Sequence, residues 1–179
     1  MWLASLVSRA TDAPDFVTPL TLVVMRHAKA KKRRDTLPDM QRKLTKTWKK
    51  HARQQAKTLH AWLKKYAKKQ KNPMILKRVC LLTSTASRAI QTASRVAKRL
   101  GISKKHIFQE STLYSGYATT IRHNVALLQQ RGYATIIVVG HNPSISTYAR
   151  QVSKKAIMEL RTGDLVIVPT GSAPQVQPR

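Results

Sequence analysis

Ala134-Thr135-Ile136-Ile137-Val138-Val139 is an unbroken apolar, largely β-branched run that leads into Gly140-His141-Asn142-Pro143. A stretch of that length, closed by a glycine and a proline, reads as a strand buried on both faces, the kind found at the centre of a parallel sheet. Far upstream, Leu20-Thr21-Leu22-Val23-Val24-Met25 has the same character and ends on Arg26-His27-Ala28. A third run, over residues 78–83, leads into Ser84-Thr85-Ala86-Ser87-Arg88-Ala89-Ile90-Gln91-Thr92-Ala93. Two of the three runs thus end on histidine and the third on an arginine-bearing segment.

Between these runs the period changes. From Leu44 to Tyr66, apolar positions Leu44, Trp48, Ala52, Ala56, Leu59, Trp62, Leu63 and Tyr66 recur every three or four residues. Lys49, Lys50, Arg53, Lys57, Lys64 and Lys65 fill the other positions, which predicts a long amphipathic helix with a basic outer face. Further helices are predicted over residues 84–100, stopped by Gly101, over 119–131, ended near Gly132, and over 144–152, after Pro143. Ile107-Phe108 reads as a short strand, and Leu165-Val166-Ile167-Val168 as the last one. Strands alternating with helices predict a single-domain α/β three-layer sandwich, with a mostly parallel central sheet and helices on both faces. The domain is expected over residues 20–168, between a loosely packed leader, 1–19, and a frayed tail, 169–179.

With 179 residues the chain suits one domain with one substantial core. Its 42% hydrophobic content is too high for a disordered basic tail. The charge is extreme: 34 Lys and Arg against 7 Asp and Glu give +27, and no acidic residue occurs between Asp39 and Glu110. Such a field concentrates anions. Its plainest reading is a solvated basic surface, with non-specific contact to nucleic acid as the alternative. The single cysteine, Cys80, lies in the apolar run Val79-Cys80-Leu81-Leu82 and reads as a buried inert thiol, with no disulfide framework or zinc pattern. No run approaches a membrane span, and the N-terminus lacks the basic region of a secretory signal, so a cytoplasmic monomer without membrane attachment is expected.

In open α/β sheets ligands gather beyond the carboxyl ends of the strands, where Arg26, His27, Arg88 and His141 would all stand. Phosphoryl transfer is mainly positioning and charge stabilisation, and it requires cationic donors around the phosphoryl oxygens and an aligned nucleophile. Two arginine forks can hold the oxygens, one neutral histidine can attack phosphorus and a second can donate to the transferred group. Ser84 and Thr85, heading the second helix, offer a cap and an anion seat beside Arg88.

These residues resemble the histidine phosphatase superfamily, and most closely its SixA-like phosphohistidine phosphatases. The resemblance rests on Arg26-His27-Ala28, Arg88-Ala89-Ile90-Gln91-Thr92-Ala93 and Gly140-His141-Asn142-Pro143. The segments Pro38-Asp39-Met40-Gln41-Arg42-Lys43-Leu44-Thr45 and Glu110-Ser111-Thr112-Leu113-Tyr114 are also similar, so it spans nearly the whole domain. It implies that His27 is the phosphorylated nucleophile, with Arg26, Arg88 and His141 forming the phosphate pocket and no metal or other cofactor. Ser84, Asn142 and Lys29 are the further substrate-binding candidates. His51, His60, His106 and His123 have no comparable context and read as surface or packing residues.

The general acid is the open position. Glu110 is read either as that acid or as a partner orienting an arginine, and Asp39 as the partner of a cation. An imidazole leaving group departs more easily than an alkoxide, so a poor acid favours a nitrogen-linked phosphate. The expected activity is hydrolysis of protein phosphohistidine. A small-molecule phosphomonoesterase for a nucleotide, sugar phosphate or polyphosphate, and a basic anion- or nucleic-acid-binding module without turnover, are the alternatives. The chain departs from the family pattern at Trp48 and in the basic block Lys29, Lys31, Lys32, Arg33 and Arg34, which would favour a more anionic substrate if it lined the mouth of the pocket.

Overall fold

The computed structural model describes residues 21–33, 35–153, 156–157, 159–169 and 175–177. The expected leader, 1–19, and Arg34 lie outside them. The chain runs β1 (Thr21–Arg26), a 3-10 turn (Asp39–Gln41), α1 (Lys46–Lys69), α2 (Met74–Lys77), β2 (Val79–Ser84) and α3 (Ser87–Leu100). After a second 3-10 turn (Lys104–His106) come β3 (Ile107–Glu110), α4 (Thr112–Ser115), α5 (Ala118–Gln130), β4 (Thr135–Gly140) and α6 (Ser144–Ser153), then β5 (Leu165–Pro169) and β6 (Gln175–Gln177).

The strands form one sheet in the order β3-β2-β4-β1-β5-β6. β1, β2, β3 and β4 are mutually parallel, whereas β5 runs antiparallel to β1 and β6 antiparallel to β5. The apolar runs centred on Val24 and Val138 are therefore neighbouring central strands, paired Val24 with Val138 and Arg26 with Gly140. The period of two then divides their side chains between two cores. Val23, Met25, Leu81, Ile137 and Val139 pack under Leu59 and Leu63 of α1 and Ala93 and Val96 of α3. Leu22, Val24, Cys80, Leu82, Ile136 and Val138 pack under Ile121, Val125 and Leu128 of α5 and Ile145 and Tyr148 of α6. The result is a three-layer α/β sandwich. Cys80 is fully buried, and burial pushes its thiol up to about 12.

Several boundaries differ from those expected, each for a local reason. Helix α1 begins after Leu44 because Leu44 bridges to Ala30 and its N–H donates to Gln91 Oε1. Thr45 then caps the helix by accepting the Trp48 N–H at 3.3 Å. Helix α3 begins at Ser87 because Ser84 still belongs to β2, paired with Glu110, while its Oγ accepts the Ala86 N–H. Gly101 ends α3 with φ 70°, a conformation that glycine adopts without steric cost. The tail expected to fray from residue 169 instead supplies β6, whose backbone pairs Val176 with Val166 and covers the open edge of β5.

Adjacent leucines on α5 test the layering. Leu128 is 4% exposed and Leu127 41%. Leu128→Ala should destabilise the fold by about 2–5 kcal/mol and Leu127→Ala by no more than about 0.5 kcal/mol, read as shifts in urea midpoint at constant slope.

Candidate active site

Parallel pairing of β1 and β4 in register brings residues 27 and 141 side by side. The His27 N–H donates to the Gly140 carbonyl at 3.1 Å, and the two imidazole centroids lie 4.8 Å apart. Both rings are buried, 8% and 6% exposed. Behind them Thr92 Oγ1 accepts the Ala28 N–H at 3.0 Å, tying the turn after β1 to α3.

The partners of His27 determine its tautomer. Nδ1 lies 2.7 Å from the Ala28 carbonyl, which can only accept, and Arg88 Nε, which can only donate, points at Nε2 from 3.2 Å. Neutral His27 therefore carries its proton on Nδ1 and presents the Nε2 lone pair on the side of Arg88. Burial, reinforced by Arg88, Arg26 and Arg42, brings its pKa down to about 4, so the neutral form prevails at pH 7. His141 is lowered to about 3, chiefly by burial, with His27 and Arg88 adding to the effect.

Arg88, 6% exposed, is held on three sides. Besides His27 it donates from Nη1 to the Asp39 carbonyl at 2.7 Å and from Nη2 to Asp39 Oδ2 at 2.8 Å. Asp39 also receives Tyr114 Oη–H at 2.7 Å and Arg42 Nε–H at 2.7 Å. Against the opposing effect of desolvation, the Tyr114 hydroxyl and the Arg88 and Arg42 guanidiniums hold its carboxyl down to about 2. Tyr114 in turn sets its ring edge-on to His141, centroids 5.4 Å apart, with the Arg88 guanidinium 5.6 Å from the ring centre. On the other side Arg26 Nη1 donates to the Leu160 carbonyl at 2.8 Å and lies 3.9 Å from the Glu159 carboxylate.

Four buried polar atoms of these strand-end segments have no hydrogen-bond partner in the protein: Arg26 Nε, Thr85 Oγ1 and both ring nitrogens of His141. An orphaned buried polar group costs about 1–3 kcal/mol, so a cluster of them marks a place built for a polar ligand. With Arg26, Arg88 and an uncapped α3 N-terminus beside them, the matching ligand is an anion. Among the described residues no group of three or more His, Cys, Asp or Glu could hold a metal ion.

The structure thus brings His27, Arg26, Arg88 and His141 together, and it places the remaining candidates elsewhere or gives them other work. Glu110 ends β3, beyond β2 from the strand that carries His141. Its carboxylate accepts the Thr112 N–H at 3.0 Å and the Thr112 hydroxyl at 2.9 Å, bonds that lower its pKa. It caps the first turn of α4, which argues against its use as an acid and against its orienting an arginine. Ser84 is fully buried, and its Oγ shapes the β2–α3 turn by accepting the Ala86 N–H at 3.2 Å. Asn142 donates to Glu159 and to the Leu160 carbonyl and accepts from Ser146, which holds the 159–160 segment against Arg26. Lys29 is exposed, and its carbonyl accepts the Thr45 N–H at 3.3 Å. Tyr114, Thr92 and Glu159 are site residues that sequence reasoning did not single out. Tyr114 and Thr92 lay inside quoted motifs, whereas nothing near Glu159 distinguished it.

Two outcomes follow. Because Glu110 caps a helix, Glu110→Gln should lower the melting temperature while leaving anion affinity, measured with vanadate, within about twofold. Folding moves the two imidazoles from 6.5 to about 4 and about 3, so the unfolded chain binds more protons over that interval. Stability should therefore fall as pH drops from about 6.5 toward 4, and urea melts of His27→Gln/His141→Gln should show a smaller fall over the same window.

No protein-family model matches the sequence, and no curated protein matches it. Solved structures do. A SixA from Agrobacterium tumefaciens, assigned as a phosphohistidine phosphatase, superposes with TM-score 0.67 at 20% identity, over 89% of this chain and 97% of that one. The protein histidine phosphatase SixA in complex with tungstate gives 0.65 at 18%, over 88% and 94%. A mycobacterial glucosyl-3-phosphoglycerate phosphatase gives 0.57 at 13%, over 83% and 89%. The sheet with histidines after two adjacent parallel strands is thus the histidine phosphatase fold, shared over nearly its full length with the SixA structures.

Proposed function

We propose that this chain is a phosphatase that works through a phospho-His27 intermediate, and that its substrate is phosphohistidine on a protein. The observation that carries the reading is the tautomer of His27: an uncharged imidazole whose Nε2 lone pair, now accepting from Arg88, faces a pocket of cations and unpartnered donors.

A phosphoryl group entering there takes over the Arg88 Nε–H from His27, while Arg26 and the ring N–H of His141 bind its other oxygens. Nε2 of His27 then attacks phosphorus, the bond from phosphorus to the leaving group breaks, and positive charge develops on the His27 ring. The Ala28 carbonyl, 2.7 Å from Nδ1, stabilises that charge by accepting the ring proton's hydrogen bond. Water attacks phosphorus in a second step, returning neutral His27 and releasing phosphate. The cationic pocket lowers both barriers by holding charge that grows on the equatorial oxygens, a contribution on the order of 10²–10³ per donor.

Leaving-group chemistry favours the nitrogen-linked substrate. Asp39 is ionised by its three donors, Glu110 caps α4, and Glu159 is exposed and tied to Asn142. Each of these three carboxylates is thus committed to other partners. An alkoxide would leave poorly from such a site, whereas an imidazole needs little help. The fold likeness supports phosphatase chemistry in general, since it extends both to SixA structures and to a sugar-phosphate phosphatase.

The test is transfer of labelled phosphate from a phosphohistidine-bearing protein, with acid-labile label mapped by peptide analysis. Label on His27 in wild type, its absence in His27→Ala, and a loss of kcat/KM on the order of 10²–10³ in Arg88→Ala are expected. Turnover retained by His27→Ala would overturn the mechanism. A higher kcat/KM for an alkyl phosphate than for the phosphoramidate would overturn the substrate class and favour the small-molecule phosphomonoesterase.

A further inference from the structure

Away from the histidines, α1 and α3 lie side by side and leave between them a groove of about 500 Å³, lined by Arg53 and Lys57 of α1 and by Ser94, Arg95, Lys98 and Arg99 of α3. Five of these six residues are cations. None makes an ion pair among the described residues, where all three salt bridges lie around Asp39 and Arg26. Neither helix supplies a carboxylate, because the sequence from residue 40 to residue 109, which includes both, contains no Asp or Glu.

Arg95 is the one cation of the groove that is not exposed. Its Nε is buried without a partner, and its Nη1 donates to the Gln91 carbonyl of its own helix. Burial and the neighbouring Arg53 both disfavour its charge. A half-buried guanidinium held against a second guanidinium, with no counter-ion, is unfavourable for the folded chain alone and favourable once an anion bridges the two.

The cations are also regularly placed. Arg53, Lys57 and Lys64 lie on one helical stripe at intervals of four and seven, with neutral His60 between the last two, and Arg99 reaches the same row, since it and Lys64 both act on His60. Positions one turn apart are separated by about 5–6 Å. That interval suits successive phosphodiesters better than the closer phosphates of a polyphosphate chain. No aromatic side chain lines the groove, so it offers nothing on which a splayed base could stack, which favours the backbone of a duplex over a single strand. The residues from Arg95 to Arg99 lie about 10–16 Å along α3 from Arg88, so the groove is separate from the phosphate pocket.

We propose that the groove between α1 and α3 is a docking site for the phosphate backbone of double-helical nucleic acid, bound without sequence preference. It would hold the enzyme on a polyanion while the pocket at the strand ends stays open.

Fluorescence anisotropy with a short labelled DNA duplex and its RNA counterpart tests this at about 150 mM salt and across a salt series. Arg53→Glu/Lys98→Glu should weaken duplex binding on the order of tenfold or more and reduce the salt slope by about 2, one for each phosphate that the variant no longer neutralises. Arg122→Glu/Arg131→Glu changes net charge equally but lies on α5 and just beyond its end, on the opposite layer, and should leave affinity within about twofold. Phosphatase activity should stay at the wild-type level in both, which also confirms that they fold. Equal losses in the two variants would overturn the proposal in favour of a general surface field. So would failure of the wild type to bind duplex at that salt, or equal affinity for polyglutamate or single strands.

Discussion

The site depends on how one guanidinium is shared. Arg88 donates to His27 with Nε and to Asp39 with both terminal nitrogens, so a single planar group orients the His27 imidazole and anchors it to the 3-10 turn that follows the basic block. The geometry is one that lysine cannot reproduce, because a point ammonium has no rigid fork to divide between two partners. Asp39 matters for the same reason. Its carboxylate collects Arg88, Arg42 and Tyr114, and Tyr114 carries the alignment on to His141. Removing Asp39 would leave the buried Arg88 guanidinium without two of its three hydrogen bonds.

The scarcity of acid explains where the charge settles. Of the seven carboxylates in the sequence, Asp39, Glu159 and Asp164 all act on the pocket arginines or histidines. The carboxylates are placed to orient arginines and leave few partners for the rest of the surface. The α1 and α3 helices, with no Asp or Glu of their own, present a strongly cationic layer. Two cationic settings result: strand ends where two arginines flank buried imidazoles, and a groove lined by five cations.

Much of the fold was legible because the apolar period changes cleanly along the chain. The central strands are apolar on both faces, and the amphipathic stripe of α1 is interrupted only where Gln55 is buried among the apolar residues. The misplaced boundaries were at turns, where side-chain bonds compete with the repeat: Gln91 capturing the Leu44 N–H, and Ser84 turning back onto Ala86. The edge strand β6 was not legible, since three residues between prolines carry no periodic signal and are ordered only by pairing with β5.

The residue types and their order were enough to nominate His27, Arg26, Arg88 and His141, because strand ends in a parallel sheet converge whatever the length of chain between them. Roles that depend on hydrogen-bond partners could not be read the same way. Glu110, read in the sequence as an acid or as the partner of an arginine, accepts from Thr112 at the start of α4, and Ser84, read as a substrate-binding candidate, accepts the Ala86 N–H in the β2–α3 turn. Both contacts are local, two residues along the chain, while the register of β2 against β3 sets Glu110 opposite Ser84. Sequence by itself determined which groups the chain possesses and which end of the sheet they occupy. Tertiary structure decided the tautomer of His27, the sharing of Arg88 and the burial of both imidazoles, because each depends on donors and acceptors brought in from distant segments.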